Sequence, residues 1–141
     1  MLGQHCCKTW SSTQGIVALS SGEAEFYGIV KASSVGLGCR AMLRDMGLQM
    51  KLNVHTDAEA AKGIASRTGL GKTRHIAVHY LWVQERVRAQ DLFLHKVRGT
   101  ENPADLMTKH LHKEDMLKHM NTFGFAHKEG RSALTPEYEA A

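Results

Sequence analysis

Val17-Ala18-Leu19-Ser20-Ser21-Gly22-Glu23-Ala24-Glu25-Phe26-Tyr27-Gly28 is the stretch on which the rest of the chain is organised. It reads as a short strand, a polar hinge and a helix that opens with two carboxylates. Ser20 at the N-cap and Glu23 at the third helical position make a capping box, in which the Glu23 carboxylate bonds back to a backbone N–H at the helix start. Glu25 has no such role. Residues two apart on a helix point to nearly opposite faces, so Glu23 and Glu25 are not expected to line one pocket. Glu25 is the candidate for chemistry.

The 141 residues suffice for one domain with a sizeable core. A hydrophobic fraction of 43% and a charged fraction of 23% are those of an ordinary globular protein. No apolar run reaches the roughly 18 residues of a membrane span, and no signal-peptide layout occupies the first ten residues. No membrane partner is expected, and the expected location is intracellular, in cytoplasm or nucleus. Three cysteines, Cys6, Cys7 and Cys39, do not make a disulfide scaffold and fit a reducing compartment. The net charge of +4, with nine histidines besides, permits nucleic-acid binding.

Working outward, residues 2–8 and 15–20 read as an antiparallel meander. Residues 22–47 read as a long helix, with Phe26, Ile29, Val30, Leu37 and Ala41 at helical spacing and Gly47 as its C-terminal stop. Glycines inside it mark places where another element comes close. Residues 51–57 alternate as a strand, with Leu52, Val54 and Thr56 on one face and Asn53, His55 and Asp57 on the other. Residues 58–67 read as a short helix, 68–72 as a basic loop lacking P-loop spacing, 75–89 as a third helix and 91–98 as a strand. Asn102-Pro103 opens a last helix, with a break near Leu111, running toward His119. The order β-β-α-β-α-α-β-α predicts a mixed α/β sheet with helices packed on it and a parallel step after the meander.

Three acids share a kind of position. Glu25 lies in the first turns of a helix, Asp57 ends a strand before a helix, and Asp105 lies in the first turn of a helix after a strand. Such ends collect binding sites in α/β sheets. Three converging carboxylates call for a divalent cation, and hard oxygen donors favour Mg²⁺ or Mn²⁺ over zinc. Two such ions about 4 Å apart support phosphodiester hydrolysis. Each acid also has a plain structural reading: Asp57 as a helix cap, Asp105 at the positive end of a helix, and Glu25 as a solvated helix residue.

Four ordered motifs then point to a family. Val17 to Tyr27, Val54-His55-Thr56-Asp57, Lys72-Thr73-Arg74-His75-Ile76 and Val97-Arg98-Gly99-Thr100-Glu101-Asn102-Pro103-Ala104-Asp105-Leu106-Met107-Thr108-Lys109 resemble, in order and spacing, the ribonuclease H domain of Ty1/copia-type retrotransposon Pol polyproteins. The resemblance covers roughly residues 8–112. It implies a ribonuclease H-like mixed sheet of five strands flanked by helices. It also implies cleavage of the RNA strand of RNA–DNA hybrids with two Mg²⁺ (or Mn²⁺) ions held by four acidic residues. By motif, Glu25, Asp57 and Asp105 match three of those catalytic and metal-binding positions, and Lys72, Thr73, Arg74 and His75 match a segment expected to contact nucleic acid. An upstream reverse transcriptase segment is an expected partner.

The departures are specific. The family's first strand, with an Asp-x-Asp-Trp-like box, has no counterpart before Met1-Leu2-Gly3, and Asp45, Asp91 and Asp115 stand at unsuitable places. The expectation is a ribonuclease H-like domain over 1–112 lacking the family's first strand and impaired in catalysis, a helical extension over 113–125 and a disordered tail over 126–141. Gly22 stands where the family has Thr. The alternative is a non-catalytic nucleic-acid-binding remnant of a Pol polyprotein. A zinc site at His5, Cys6 and Cys7 lacks Cys-x2-Cys spacing, and a serine hydrolase lacks its Gly-x-Ser-x-Gly elbow.

Overall fold

The computed structural model describes residues 1–3, 5–72, 75–76, 78–106, 108–125 and 130. The chain divides into two compact units, one of Ser12–Asn102 and one of Met1–Ser11 with Pro103–Ala141. The first contains helix α1 (Ser21–Asp45), strand β1 (Leu52–Thr56), helix α2 (Glu59–Ser66), helix α3 (Trp82–Arg88) and strand β2 (Leu92–Lys96). The second contains helix α4 (Lys113–Thr122). Among the described residues, no helix is long and apolar enough to cross a membrane.

The N-terminus of α1 has the Ser20 half of the capping box the sequence predicts, while the Glu23 carboxylate reaches back to the Leu19 N–H rather than to that of Ser20. Ser20 is extended, and its hydroxyl accepts from the Glu23 N–H at 3.2 Å. At the other end the chain leaves through Gly47 at φ +84°. The Leu48 N–H reaches back to the Leu43 carbonyl at 2.8 Å, which satisfies a carbonyl the helix would otherwise leave open. β1 and β2 pair in parallel, with Leu52, Val54 and Thr56 opposite Leu92, Leu94 and Lys96. A parallel pair needs a long crossover, and residues 57–91 with α2 and α3 supply it. Val54, Thr56 and Leu92 are buried, as the strand alternation requires, and join a core of Phe26, Ile29, Val30, Ala61, Ile64, Ala65, Ile76 and Val83.

Two glycines of α1 set how closely that core is drawn together. A Cβ on Gly36 would stand 2.6 Å from Leu52 Cδ1 in β1, and one on Gly22 would stand 2.8 Å from Ala60 Cβ in α2. At Gly22 the approach leaves no room for a side chain, and at Gly36 a side chain would displace the end of Leu52, so α1 meets α2 and the sheet closely at both points. Buried Gln84 of α3 closes the other side. Its amide donates to the carbonyls of Ile64 and Gly69 at 2.8 and 3.0 Å, and its oxygen accepts from the Gly69 N–H at 2.9 Å. Asp91 ties the far end of α1 to the start of β2. Arg86 donates to it at 2.7 Å, and Arg40 donates to both its carboxylate and its backbone carbonyl.

Several expected elements differ. The described residues contain one two-stranded sheet rather than five strands. The expected meander is absent from them: 2–8 holds a single bridge, Leu2 with His5, and 15–20 is bends and irregular chain. Strand-forming residues do not make a strand without a neighbour to pair with. In 15–20 the backbone is held instead by side chains, through the Leu19 N–H to Glu23 and the Gln14 amide to the Ala24 carbonyl. The helix expected over 75–89 opens as a 3-10 turn, Val78–Tyr80, and becomes α-helical only at Trp82. His75 bonds Glu23 rather than its own first turn. Asn102 caps no α-helix. A 3-10 turn, Pro103–Asp105, follows it, and α4 starts beyond the break at Leu111.

Gly22→Thr, which restores the residue the resemblance expects, should cost about 1–3 kcal/mol through overpacking against Ala60. Gly28→Ala, with open space around the new Cβ, should stabilise by about 0.5–1 kcal/mol. Urea unfolding of the two variants checks the opposed signs.

Candidate functional site

The two glutamates that open α1 have separate fates. Glu23 is 1% exposed. Its Oε2 accepts from the Leu19 N–H at 3.0 Å and lies 2.6 Å from His75 Nε2, while its Oε1 accepts from the Tyr27 hydroxyl at 2.8 Å. The His75 bond, above all, holds the Glu23 carboxyl below its ordinary pKa, against the opposing effect of burial. Tyr27 moves the other way. Burial, and then the adjacent Glu23 carboxylate, push its hydroxyl up to about 12. Glu25, two residues on, is exposed and has no hydrogen bond or ion pair to another described residue.

Asp57 follows β1 directly and is half-buried. It does not cap α2: the N-cap is Ala58, and the side-chain bond at that corner runs from the Ala58 N–H to Thr56 Oγ1 at 3.2 Å. Asp57 has no hydrogen bond or ion pair among the described residues. Its Oδ2 lies 3.7 Å from where a Cβ on Gly99 would stand. The turn Gly99–Glu101 after β2 thus meets the carboxylate that follows β1. This is the rim at which both parallel strands end, the side of such a sheet where ligands gather. The element carrying Glu25 reaches the same neighbourhood, since Gly22, one turn before it, abuts Ala60, three residues after Asp57.

Asp105 belongs to the other unit. It closes the 3-10 turn Pro103–Asp105 and pairs with Lys109 Nζ at 2.9 Å through Oδ1. Of the expected nucleic-acid segment, Lys72 is exposed, His75 is engaged with Glu23, and Thr73 and Arg74 lie outside the described residues. Asp91, set aside in the sequence as a spare aspartate, is committed to Arg86 and Arg40. The bond from Arg86 chiefly holds its carboxyl below the ordinary range.

Two clefts lie elsewhere in the unit, on either side of the edge-to-face Tyr27–Tyr80 pair, whose centroids are 5.0 Å apart. One, of about 440 Å³, is lined by Gln14, Lys31 and Trp82 among others, and the other, of about 460 Å³, by Val17, Leu19, Glu23 and His75. Neither is lined by Glu25 or Asp57. The Glu23–His75 bond that shapes the second gave no local signal in the sequence, because its partners are 52 residues apart.

Over 104 residues, 72% of its length, the chain is 33% identical to the retrovirus-related Pol polyprotein from transposon TNT 1-94 of Nicotiana tabacum. The chain is similar to a segment of a retrotransposon Pol polyprotein. The similarity supports a retrotransposon Pol origin. The chain spans 8% of that polyprotein's length. No protein-family model and no solved structure matches the chain.

An all-oxygen donor set suits Mg²⁺. Among the described residues, however, no group of three or more His, Cys, Asp or Glu side chains is gathered so as to hold a metal ion. The described residues therefore supply no complete cage for Mg²⁺.

The depressed Glu23 pKa carries a sign. A carboxyl whose pKa is lower folded than unfolded contributes stability above the unfolded value of about 4.5, and that contribution is lost as pH falls through the folded value. Glu23→Gln should therefore cost about 1.5–3 kcal/mol at pH 7, the range for bonds to a charged group. It should also flatten the decline in stability below pH 4.5. Urea midpoints measured from pH 3 to 7 on both proteins check this, and parallel curves would refute it.

Proposed function

We propose that the chain is a ribonuclease H-type segment of a retrotransposon Pol protein, hydrolysing the RNA strand of RNA–DNA hybrids with Mg²⁺ or Mn²⁺ as the required ion. The observation that carries this reading is Asp57, half-buried where β1 ends beside Gly99, with no capping or pairing role among the described residues. Glu23 and Asp91 are consumed by structure, whereas Glu25 and Asp57 are left without partners among the described residues. Both are among the three positions the resemblance selects, the other being Asp105. A carboxylate kept at the rim of a parallel sheet with no capping or pairing role is what cation or substrate binding requires. Similarity to a Pol polyprotein supports a retroelement origin for the chain. Asp105 is assigned the third acidic role. Lys72, Thr73, Arg74 and His75 are assigned to the nucleic-acid backbone, where a basic loop contributes salt-dependent affinity.

A second reading has its own support. With no three-ligand group among the described residues, a nucleic-acid-binding remnant without catalysis accounts for the basic charge and the similarity equally well. The two part company in one assay on an end-labelled RNA–DNA hybrid. Hydrolysis predicts cleavage that needs Mg²⁺ and falls about 10²-fold or more in Glu25→Gln and in Asp57→Asn. Hybrid binding that weakens with salt and persists in Asp57→Asn, with no cleavage at any Mg²⁺ concentration, would overturn the enzymatic reading in favour of the remnant.

A further inference from the structure

The outer face of the two-stranded sheet carries a second constellation, beginning on β1 two residues before Asp57. Asn53 and His55 on β1 stand in register with Phe93 and His95 on β2. Asn53, His55 and His95 are exposed. The two imidazoles stack, with centroids 5.0 Å apart and planes 26° from parallel. His95 Nε2 lies 2.9 Å from Asn53 Oδ1. Lys51 lies over the Phe93 ring at 6.0 Å and completes the row.

We propose that His55 and His95 form a binding site for one late first-row transition ion, of the Zn²⁺ or Ni²⁺ type. Three features support it. The ligand type is right: imidazole nitrogen is the preferred donor for these ions, whereas Mg²⁺ takes oxygen. The spacing is right: both rings rise from directly paired residues of rigid strands about 4.8 Å apart. Two nitrogens on one tetrahedral zinc lie about 3.3 Å apart, from metal–nitrogen bonds of about 2.0–2.1 Å. Rings already face to face at 5.0 Å reach that separation by tilting their facing edges together.

The third feature is the orientation of His95. With Nε2–H donating to Asn53 Oδ1, the ring's lone pair is on Nδ1. A metal-bound histidine characteristically gives its other N–H to an oxygen acceptor in just this way, which fixes tautomer and ring plane. Asn53 is thus a positioning residue. Water fills the remaining coordination positions on this open face.

The test is calorimetric titration of the whole 141-residue chain with Ni²⁺ and with Zn²⁺, in 5 mM Mg²⁺ to occupy any acidic site. The expected result is one ion bound per chain, at least tenfold weaker in His55→Ala and in His95→Ala, and about tenfold weaker in Asn53→Ala. His110→Ala with His112→Ala should leave it unchanged. Imidazole NMR resonances of His55 and His95 should shift first on adding ion. His55→Gln keeps a polar side chain on the strand, and thermal unfolding of each variant confirms that it folds. Affinity in the His55 and His95 variants equal to that of the unaltered chain, or first shifts at other histidines, would overturn the proposal. Since the readout is ion binding and not turnover, failure here leaves the nuclease reading standing, and the converse also holds.

Discussion

The unit of Ser12–Asn102 depends on a single buried carboxylate. Glu23 sits at the mouth of α1 with essentially no solvent contact and would be costly to bury unpaired. It is satisfied by the Leu19 N–H before the helix, the Tyr27 hydroxyl one turn along it, and the His75 ring from a loop 52 residues away. A residue that the sequence marks as a local cap is therefore also a long-range tie. It fixes where the chain enters α1, seats Tyr27 against Tyr80, and pins the segment leading to α3.

From that anchor, α1 runs across the sheet with two glycines turned toward its neighbours. Gly22 admits Ala60 and Gly36 admits Leu52, so one helix touches α2 from its first turn and β1 from just beyond its midpoint. A glycine inside a helix costs about 1 kcal/mol relative to alanine. That cost is offset where the missing Cβ lets apolar surfaces close, and Phe26, Ile29, Val30, Val54 and Ala61 are all buried between these contacts. The arrangement bears on chemistry because it fixes the helix that carries Glu25 against the helix that begins two residues after Asp57.

What could be read in the sequence was what depends on neighbours in the chain. The Ser20–Glu23 cap, the Gly47 stop, the alternation of Leu52, Val54 and Thr56, and the separation of Glu23 from Glu25 all follow from spacing of one to four residues, and the structure has each of them. What could not be read depends on partners far along the chain. Residues 15–20 have a strand's composition but lie as irregular chain, with Val17 87% and Leu19 72% exposed. Strand composition marks only a capacity to pair. The shortened third helix turns on His75 meeting Glu23, and Gln84, an unremarkable polar residue in the sequence, is a buried clip between α2 and the loop after it. At the candidate site, residue types and local positions were legible, but whether Asp57 capped a helix or stood free was a question only coordinates could answer.

The fate of the spare acids bears directly on function. Fourteen acidic residues give a chain of this size many chances to place a carboxylate near a helix start, so position alone is weak grounds for a catalytic role. Engagement is a stronger criterion, because a carboxylate tied to Arg or His is stabilised where it is and must give up those bonds before it can serve a cation or a substrate. By that measure Glu23 and Asp91 are withdrawn from chemistry, and Asp105 is in part withdrawn through Lys109. Glu25 and Asp57 are unengaged among the described residues, as are the exposed Asp45, Glu85, Glu101, Glu114 and Asp115, and what sets Asp57 apart is its half-burial beside Gly99. Half-burial with no partner is costly for a carboxylate, and that, rather than freedom from partners alone, distinguishes Asp57 from the exposed acids.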